Sequence, residues 1–294
     1  MTLDPRTDAV LRRAVAGDGA RRTVTLDPRL QGLPDTAHGG TVLALFDALA
    51  GARGPRVVTG TYRRRVPLGV PLALAVTVRD GATELALTED GTRLVDGRVA
   101  PGERDAARES HTAAGEPDGA RHGAAAPTAA RDPLPLSRTC FVCGTDNTLG
   151  LQARLGIDAD TVGGTWTPSP ALAGVDGRLA PVALTGLLDE AAFWLGAAAS
   201  GESGMTTELR VELVRAAPFG PVTVAGRRDA VHVRASDPRY WETRVTAWDD
   251  DGAAVARARI TFVAVRGAAR KLVAGLLGMN PPDAIRRVFP AYVR

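Results

Sequence analysis

The chain has 294 residues, 45% of them hydrophobic, and a formal net charge of +3. That length predicts two domains rather than one, each with enough apolar residues for its own core. Arginine supplies nearly all the positive charge, Lys271 being the only lysine, and the arginines are scattered rather than gathered into the patch that nucleic-acid binding requires.

Residues 1–18 read as a short N-terminal arm with early acids and no apolar run of signal-sequence length. No stretch approaches the roughly 20 apolar residues of a membrane-spanning helix, so a cytoplasmic protein without a membrane partner is expected. Cys140 and Cys143 are the only cysteines, too few for a disulfide framework.

Residues 19–100 form the first predicted domain. Residues 22–27 alternate as a strand, and a loop follows that ends at His38-Gly39-Gly40. Residues 41–51 are apolar on nearly every face and close on a glycine, the pattern of a helix buried all round. Period-two runs then cover 57–66, 72–79, 83–88 and 92–99, broken at Pro67-Leu68-Gly69, Asp80-Gly81 and Asp90-Gly91. Residues 101–136 are rich in Ala, Gly, Pro and charge with few large apolar side chains, which reads as a flexible linker whose His111 and His122 sit in water.

The second predicted domain, residues 137–266, repeats the order. Strand-like runs at 151–157 and 161–166 precede an apolar helix at 179–196, and alternating runs at 207–214, 222–228, 231–235, 241–248 and 253–265 follow. Setting the two helices side by side places Asp47 against Asp189, and the next strands end alike, TYRRRVPLG against RVELVRAAPFG. An internal duplication is the economical reading. Residues 267–294 read as a C-terminal helical tail divided by Pro281-Pro282.

The segment HGGTVLALFDALAG resembles the His-Gly-Gly, helix, acid pattern of the phenylacetyl-CoA and 4-hydroxybenzoyl-CoA type thioesterases of the hotdog-fold superfamily. CFVCGTDNTLGL is similar to a cysteine-bearing opening in some thioesterase-like members, and TTELRVELVRAAPFG and DDGAAVARARITFVAV resemble their late strands. The resemblance covers most of residues 22–100 and 137–265. It implies an α+β chain of two tandem hotdog domains, each a long central helix wrapped by a curved antiparallel sheet. The implied activity is hydrolysis of an acyl thioester carried by coenzyme A or an acyl carrier protein. No metal and no cofactor is implied beyond the coenzyme A or phosphopantetheine of the substrate, and the assembly is a monomeric double hotdog or a homodimer. The alternatives are a non-hydrolytic acyl-binding protein and a dehydratase or isomerase of secondary metabolism. Hotdog dehydratases resemble one another in pairing a His with an acid inside longer signatures, which neither half shows.

Thioester hydrolysis needs a donor to polarise the carbonyl oxygen and a carboxylate to act as base or nucleophile. The first N–H groups of a helix are unpaired and lie at its positive end. In the resembling family each site combines the helix start of one hotdog with the helix acid of the other. Here Gly39 and Gly40 would join Asp189, and Ala180-Pro181-Val182 would join Asp47. Pro181 has no N–H to donate, so the first combination is expected to work and the second to be degenerate or structural. His38 is expected to order the loop, and Gln31 to place an amide near the thioester carbonyl. Thr41, Glu190 and Phe193 are further candidate substrate contacts. Glu190 lies about 100° round the helix from Asp189 and reads as a solvated or salt-bridged neighbour. Phe193 stands where some relatives carry a helper hydroxyl. The C-x-x-C pair has only His232 as a further ligand in its half, so buried packing is expected rather than a metal site. Arg63, Arg64 and Arg65 read as a solvated strand edge.

Overall fold

Alternation of apolar and polar residues sets most of the strands, and the computed structural model describes residues 6–102 and 131–293. Helix α1 (Thr7–Arg13) leads into β1 (Val15–Ala16) and β2 (Arg21–Thr25), and α2 (Gly39–Ala50) precedes β3 (Arg56–Tyr62), β4 (Pro71–Arg79), β5 (Ala82–Glu89) and β6 (Thr92–Pro101). The back half opens with β7 (Asp132–Pro133), β8 (Gly156–Ile157) and β9 (Thr161–Trp166). After α3 (Pro181–Ser200) come β10 (Gly204–Leu213), β11 (Val222–Arg227), β12 (His232–Val233), β13 (Tyr240–Asp249) and β14 (Ala254–Ala264). Most of the expected linker, with His111 and His122, lies outside the described residues, as do residues 1–5 of the arm.

All these strands belong to one sheet, ordered β1-β2-β4-β5-β6-β3-β10-β14-β13-β11-β9-β8-β7, with β12 beside β13. The front and back halves meet where β3 pairs antiparallel with β10, from Arg56 opposite Leu213 to Thr61 opposite Glu208. On β10, Leu209, Val211 and Leu213 turn to the core while Arg210 points to solvent, the period-two signature of a half-buried strand. Helix α2 packs on β3, β6 and β10, and α3 packs on β9, β10, β11, β13 and β14. Val42, Leu43, Leu45 and Phe46 of α2 are fully buried, and each such side chain contributes roughly 1.5–3 kcal/mol of burial.

Both core helices end on a left-handed glycine, Gly51 at φ 62° and Gly201 at φ 69°, a conformation that only a residue without Cβ adopts freely. The true stop of α3 is therefore Gly201, not Gly196, because the alanines 197–199 carry the helix on. A Cβ on Gly40 would lie 2.6 Å from the Thr185 carbonyl carbon and 2.8 Å from the Gly186 Cα. The start of α2 thus rests directly on the backbone of α3.

Some expectations are corrected. Helix α3 has 20 residues and enough apolar character to meet the length and composition of a membrane span, although 83% of that window is buried within the protein. Residues 151–155 are not a sheet strand, because the Leu151 and Ala153 N–H groups donate to Phe141 and Val142 carbonyls of the cysteine loop at 2.7 and 2.8 Å. The 231–235 run shortens to β12. Arg63, Arg64 and Arg65 lie beyond the end of β3 rather than on it. The C-terminal segment forms α4 (Ala269–Leu276) and α5 (Pro282–Val288), with Pro282 in the first turn of α5.

Candidate active site

A cavity of about 380 Å³ opens between the halves, lined by Gln31, His38, Gly39 and Tyr62 from the front, and by Cys140, Asp189, Glu190, Phe193 and Thr206 from the back. Lys271, Leu272, Leu276 and Met279 of the C-terminal segment line it as well. Its walls are mostly apolar, with the polar groups gathered where α2 begins against the middle of α3.

That meeting point follows from the backbone contact at Gly40. The Gly40 N–H lies 2.9 Å from Asp189 Oδ2, and the Thr206 hydroxyl donates to Asp189 Oδ1 at 2.7 Å. Asp189 is buried, and a buried carboxylate keeps its charge only when donors surround it. The positive end of α2 supplies part of that environment. The Tyr62 hydroxyl donates to the Gly39 carbonyl at 2.6 Å and ties the turn down from β3. Burial and the Asp189 charge both push the Tyr62 hydroxyl well above the ordinary tyrosine range, so it stays protonated.

His38 links the two acids of α3. Its Nδ1 lies 3.2 Å from Asp189 Oδ2 and its Nε2 lies 3.4 Å from Glu190 Oε2. Burial works against the charged ring, but the hydrogen bond to Glu190 and the charge of Asp189 outweigh it and raise its pKa to about 9. In that charged form both ring nitrogens donate, and the Gly40 N–H has Asp189 as its acceptor. In the neutral form with the proton on Nε2, Nδ1 would instead accept the Gly40 N–H, 3.2 Å away, as a side-chain cap of the helix.

Glu190 is not solvated: it is buried. Burial alone would raise its pKa, but hydrogen bonds from His38, Cys143 and Trp194 bring it below the ordinary glutamate value. Trp194, one turn on, donates its indole N–H to Glu190 Oε1 at 2.9 Å, and Cys140 Sγ lies 3.8 Å from Oε2. Cys143 is hydrogen-bonded to Cys140 and buried, which pushes its thiol well above the usual range. The cysteine loop is held by Asn147, whose amide donates to the Arg29 and Thr139 carbonyls at 2.7 and 3.0 Å while its oxygen accepts the Leu149 and Gly150 N–H groups. The donor atoms of His38, Cys140 and Glu190 lie within 4.8 Å of one another. His232, the only further ligand that the sequence offered the cysteines in their own half, is exposed on β12.

The structure brings His38, Gly39, Asp189, Glu190, Phe193 and Gln31 to one cavity, with Gly40 in contact through Asp189. The Gln31 amide donates to the Thr139 hydroxyl at 2.5 Å and its oxygen accepts the Asp35 N–H. Asp47 is not brought there. Arg56 holds its carboxylate through two contacts of 2.5 and 2.7 Å, and Pro181 opens α3 without a side-chain cap. Thr41 is fully buried and its hydroxyl donates to the His38 carbonyl at 2.8 Å, so it braces the loop instead of facing the cavity. Tyr62, Thr206, Trp194 and the C-terminal segment were not foreseen. Tyr62 closes β3 and Thr206 lies near the start of β10, and a polar side chain at each of those strand ends is the only signal that could have pointed to them.

No protein-family model matches the sequence, and no curated protein matches it. Solved structures do match, and they show that the chain has the hotdog fold. A protein provisionally assigned as a thioesterase from Novosphingobium aromaticivorans superposes with a TM-score of 0.58 at 20% identity, covering 86% of this chain and 98% of that one. A hot dog fold protein of unknown function from Alicyclobacillus acidocaldarius gives a TM-score of 0.54 at 15% identity, covering 90% and 97%. GphF dehydratase 1 gives 0.55 at 19% identity, covering 85% and 97%.

Proposed function

We propose that the chain is two hotdog units fused in tandem and that it hydrolyses an acyl thioester at one composite site between them. The observation that carries this reading is the Asp189 carboxylate of the back half held 2.9 Å from the Gly40 N–H of the front half, beside a cavity of about 380 Å³. The acyl group and pantetheine arm lie along the apolar walls, with the thioester carbonyl oxygen at the start of α2. There the helix N–H groups and the His38 imidazolium stabilise the charge that grows on oxygen in the tetrahedral intermediate. Asp189 acts as the base that takes a proton from the attacking water, or attacks the carbonyl itself to give an anhydride that water then opens. Collapse of the intermediate breaks the C–S bond and releases the thiol and the acid. Structural neighbours assigned as thioesterases support this chemistry.

A second reading rests on the His38 to Asp189 contact of 3.2 Å. It joins a His of one half to an acid of the other, the pairing absent from either half alone, and a dehydratase shares the fold. With its pKa raised to about 9, His38 holds a proton at neutral pH and is a poor base toward a carbon acid, which favours hydrolysis. Incubation with straight-chain, branched, aromatic and 3-hydroxyacyl CoA esters separates the two readings. Free thiol detected by a disulfide reagent supports hydrolysis. Enoyl product without thiol supports dehydration and sinks hydrolysis, and neither product from any ester sinks both.

A further inference from the structure

We propose that His38, Cys140 and Glu190 form a binding site for a single transition-metal dication of the zinc class. Donor atoms of three chemical types converge there, His38 Nε2 and Glu190 Oε2 at 3.4 Å and Cys140 Sγ and Glu190 Oε2 at 3.8 Å. All three are within 4.8 Å of one another. Metal–ligand bonds of about 2.0–2.3 Å in a tetrahedral site place ligand atoms about 3.3–3.8 Å apart, so the two separations to Glu190 already fit and the His38–Cys140 one, within 4.8 Å, closes by no more than about 1 Å.

The surroundings suit such an ion. His38 Nδ1 faces Asp189 at 3.2 Å, the carboxylate that orients a metal-binding imidazole and fixes which nitrogen is free to bind. The Trp194 indole N–H fixes the other oxygen of Glu190. The Val142 N–H points at Cys140 Sγ at 3.4 Å, a donor that would stabilise a thiolate. Cys143 lies in the same cavity wall but outside the group of mutually close donor atoms, and the cavity gives the ion an entry path and room for a water as the fourth ligand. Thiolate and imidazole together select zinc, cobalt or copper over magnesium and calcium. Binding replaces the Nε2 proton of the His38 imidazolium and the Cys140 thiol proton. The dication is then balanced by one thiolate and one carboxylate, two protons are released, and Nδ1–H still reaches Asp189.

Metal uptake is read without substrate and so does not depend on thioester hydrolysis; the imidazolium role of His38 belongs to the metal-free chain, and in the loaded chain the dication carries that positive charge. Reduced full-length protein is freed of metal with a chelator and titrated anaerobically with Co2+. The expected result is the visible d–d spectrum of a tetrahedral ion together with a thiolate-to-cobalt charge-transfer band, saturating at one equivalent and displaced by Zn2+. Cys140→Ser should lower the charge-transfer band by half or more, and Glu190→Gln should weaken binding by about tenfold or more. Absence of a charge-transfer band in the wild-type chain, or a band unchanged in both variants, overturns the proposal. Should a variant fail to fold, retention of zinc by the wild-type chain through gel filtration decides it: near one equivalent supports the site, and none overturns it.

Discussion

Asp189 accepts the Gly40 N–H across 149 positions of sequence, at 2.9 Å. In the free protein the carboxylate therefore occupies the donor that a carbonyl oxygen would need, and substrate entry must exchange one acceptor for the other. The two groups are linked by geometry before any substrate arrives.

Replacing Asp189 with Asn keeps an acceptor for Gly40 and an amide near Thr206 but removes the base. Under the proposed chemistry, thiol release from the best acyl-CoA substrate should fall by about 10²- to 10⁴-fold, with the melting temperature little changed. A large loss from Asp47→Asn with none from Asp189→Asn would reverse the assignment.

The two glycines should separate stability from activity. Gly40→Ala drives a methyl group into the α3 backbone, 2.8 Å from the Gly186 Cα, and overpacking of this kind costs about 1–3 kcal/mol. Gly39→Ala places its Cβ 2.7 Å from Asp189 Oδ2. It should move the carboxylate and lower turnover by as much as about 10²-fold, with a smaller effect in denaturant titrations. Equal effects of both changes on stability and turnover would contradict this.

Arg56→Met leaves the buried Asp47 carboxylate without the guanidinium that now meets both its oxygens. Urea unfolding should show a loss of about 3 kcal/mol, partly recovered when Asp47→Asn is added, and the wild-type rate of thiol release should persist in the double variant.

The His38 cluster should make stability depend on alkaline pH in the chelator-treated chain. The folded pKa of His38 is raised to about 9 from an ordinary 6.5, so its contribution is complete below 6.5 and is lost as pH climbs to 9. Urea midpoints should fall across that window, and the fall should shrink in Glu190→Gln, which removes the charge that Nε2 faces. A midpoint that stays flat from pH 6.5 to 9 would show that His38 does not hold its proton in the fold.

Much of the architecture was legible because burial imposes simple periods. Alternation located the long strands, the His-Gly-Gly turn picked out Gly39 and Gly40, and the match of the second apolar helix to the first picked out Asp189 opposite Asp47. Of the two readings of Glu190, the salt-bridged one holds, with His38 at 3.4 Å, and the solvated one does not; α3 is apolar on every side, so the pattern offered no face on which to place one more acid. Asp47 and Asp189 look equivalent in sequence, yet one meets Arg56 and the other a helix start, a difference set by strand pairing and helix crossing. Cys140 approaches His38 only because Asn147 binds the Arg29 carbonyl and the Phe141 N–H binds the Gln31 carbonyl at 2.6 Å. Such contacts join loops more than 100 positions apart and leave no local period to read.

The seam between β3 and β10 has a genetic corollary. In an assembly of identical subunits every codon change appears on both sides of the axis at once. On the proposed tandem reading it appears on one side only in this polypeptide, so a proline could settle at one helix entrance while the glycines at the other stayed in place. Dilution, which separates paired subunits, leaves this pairing intact.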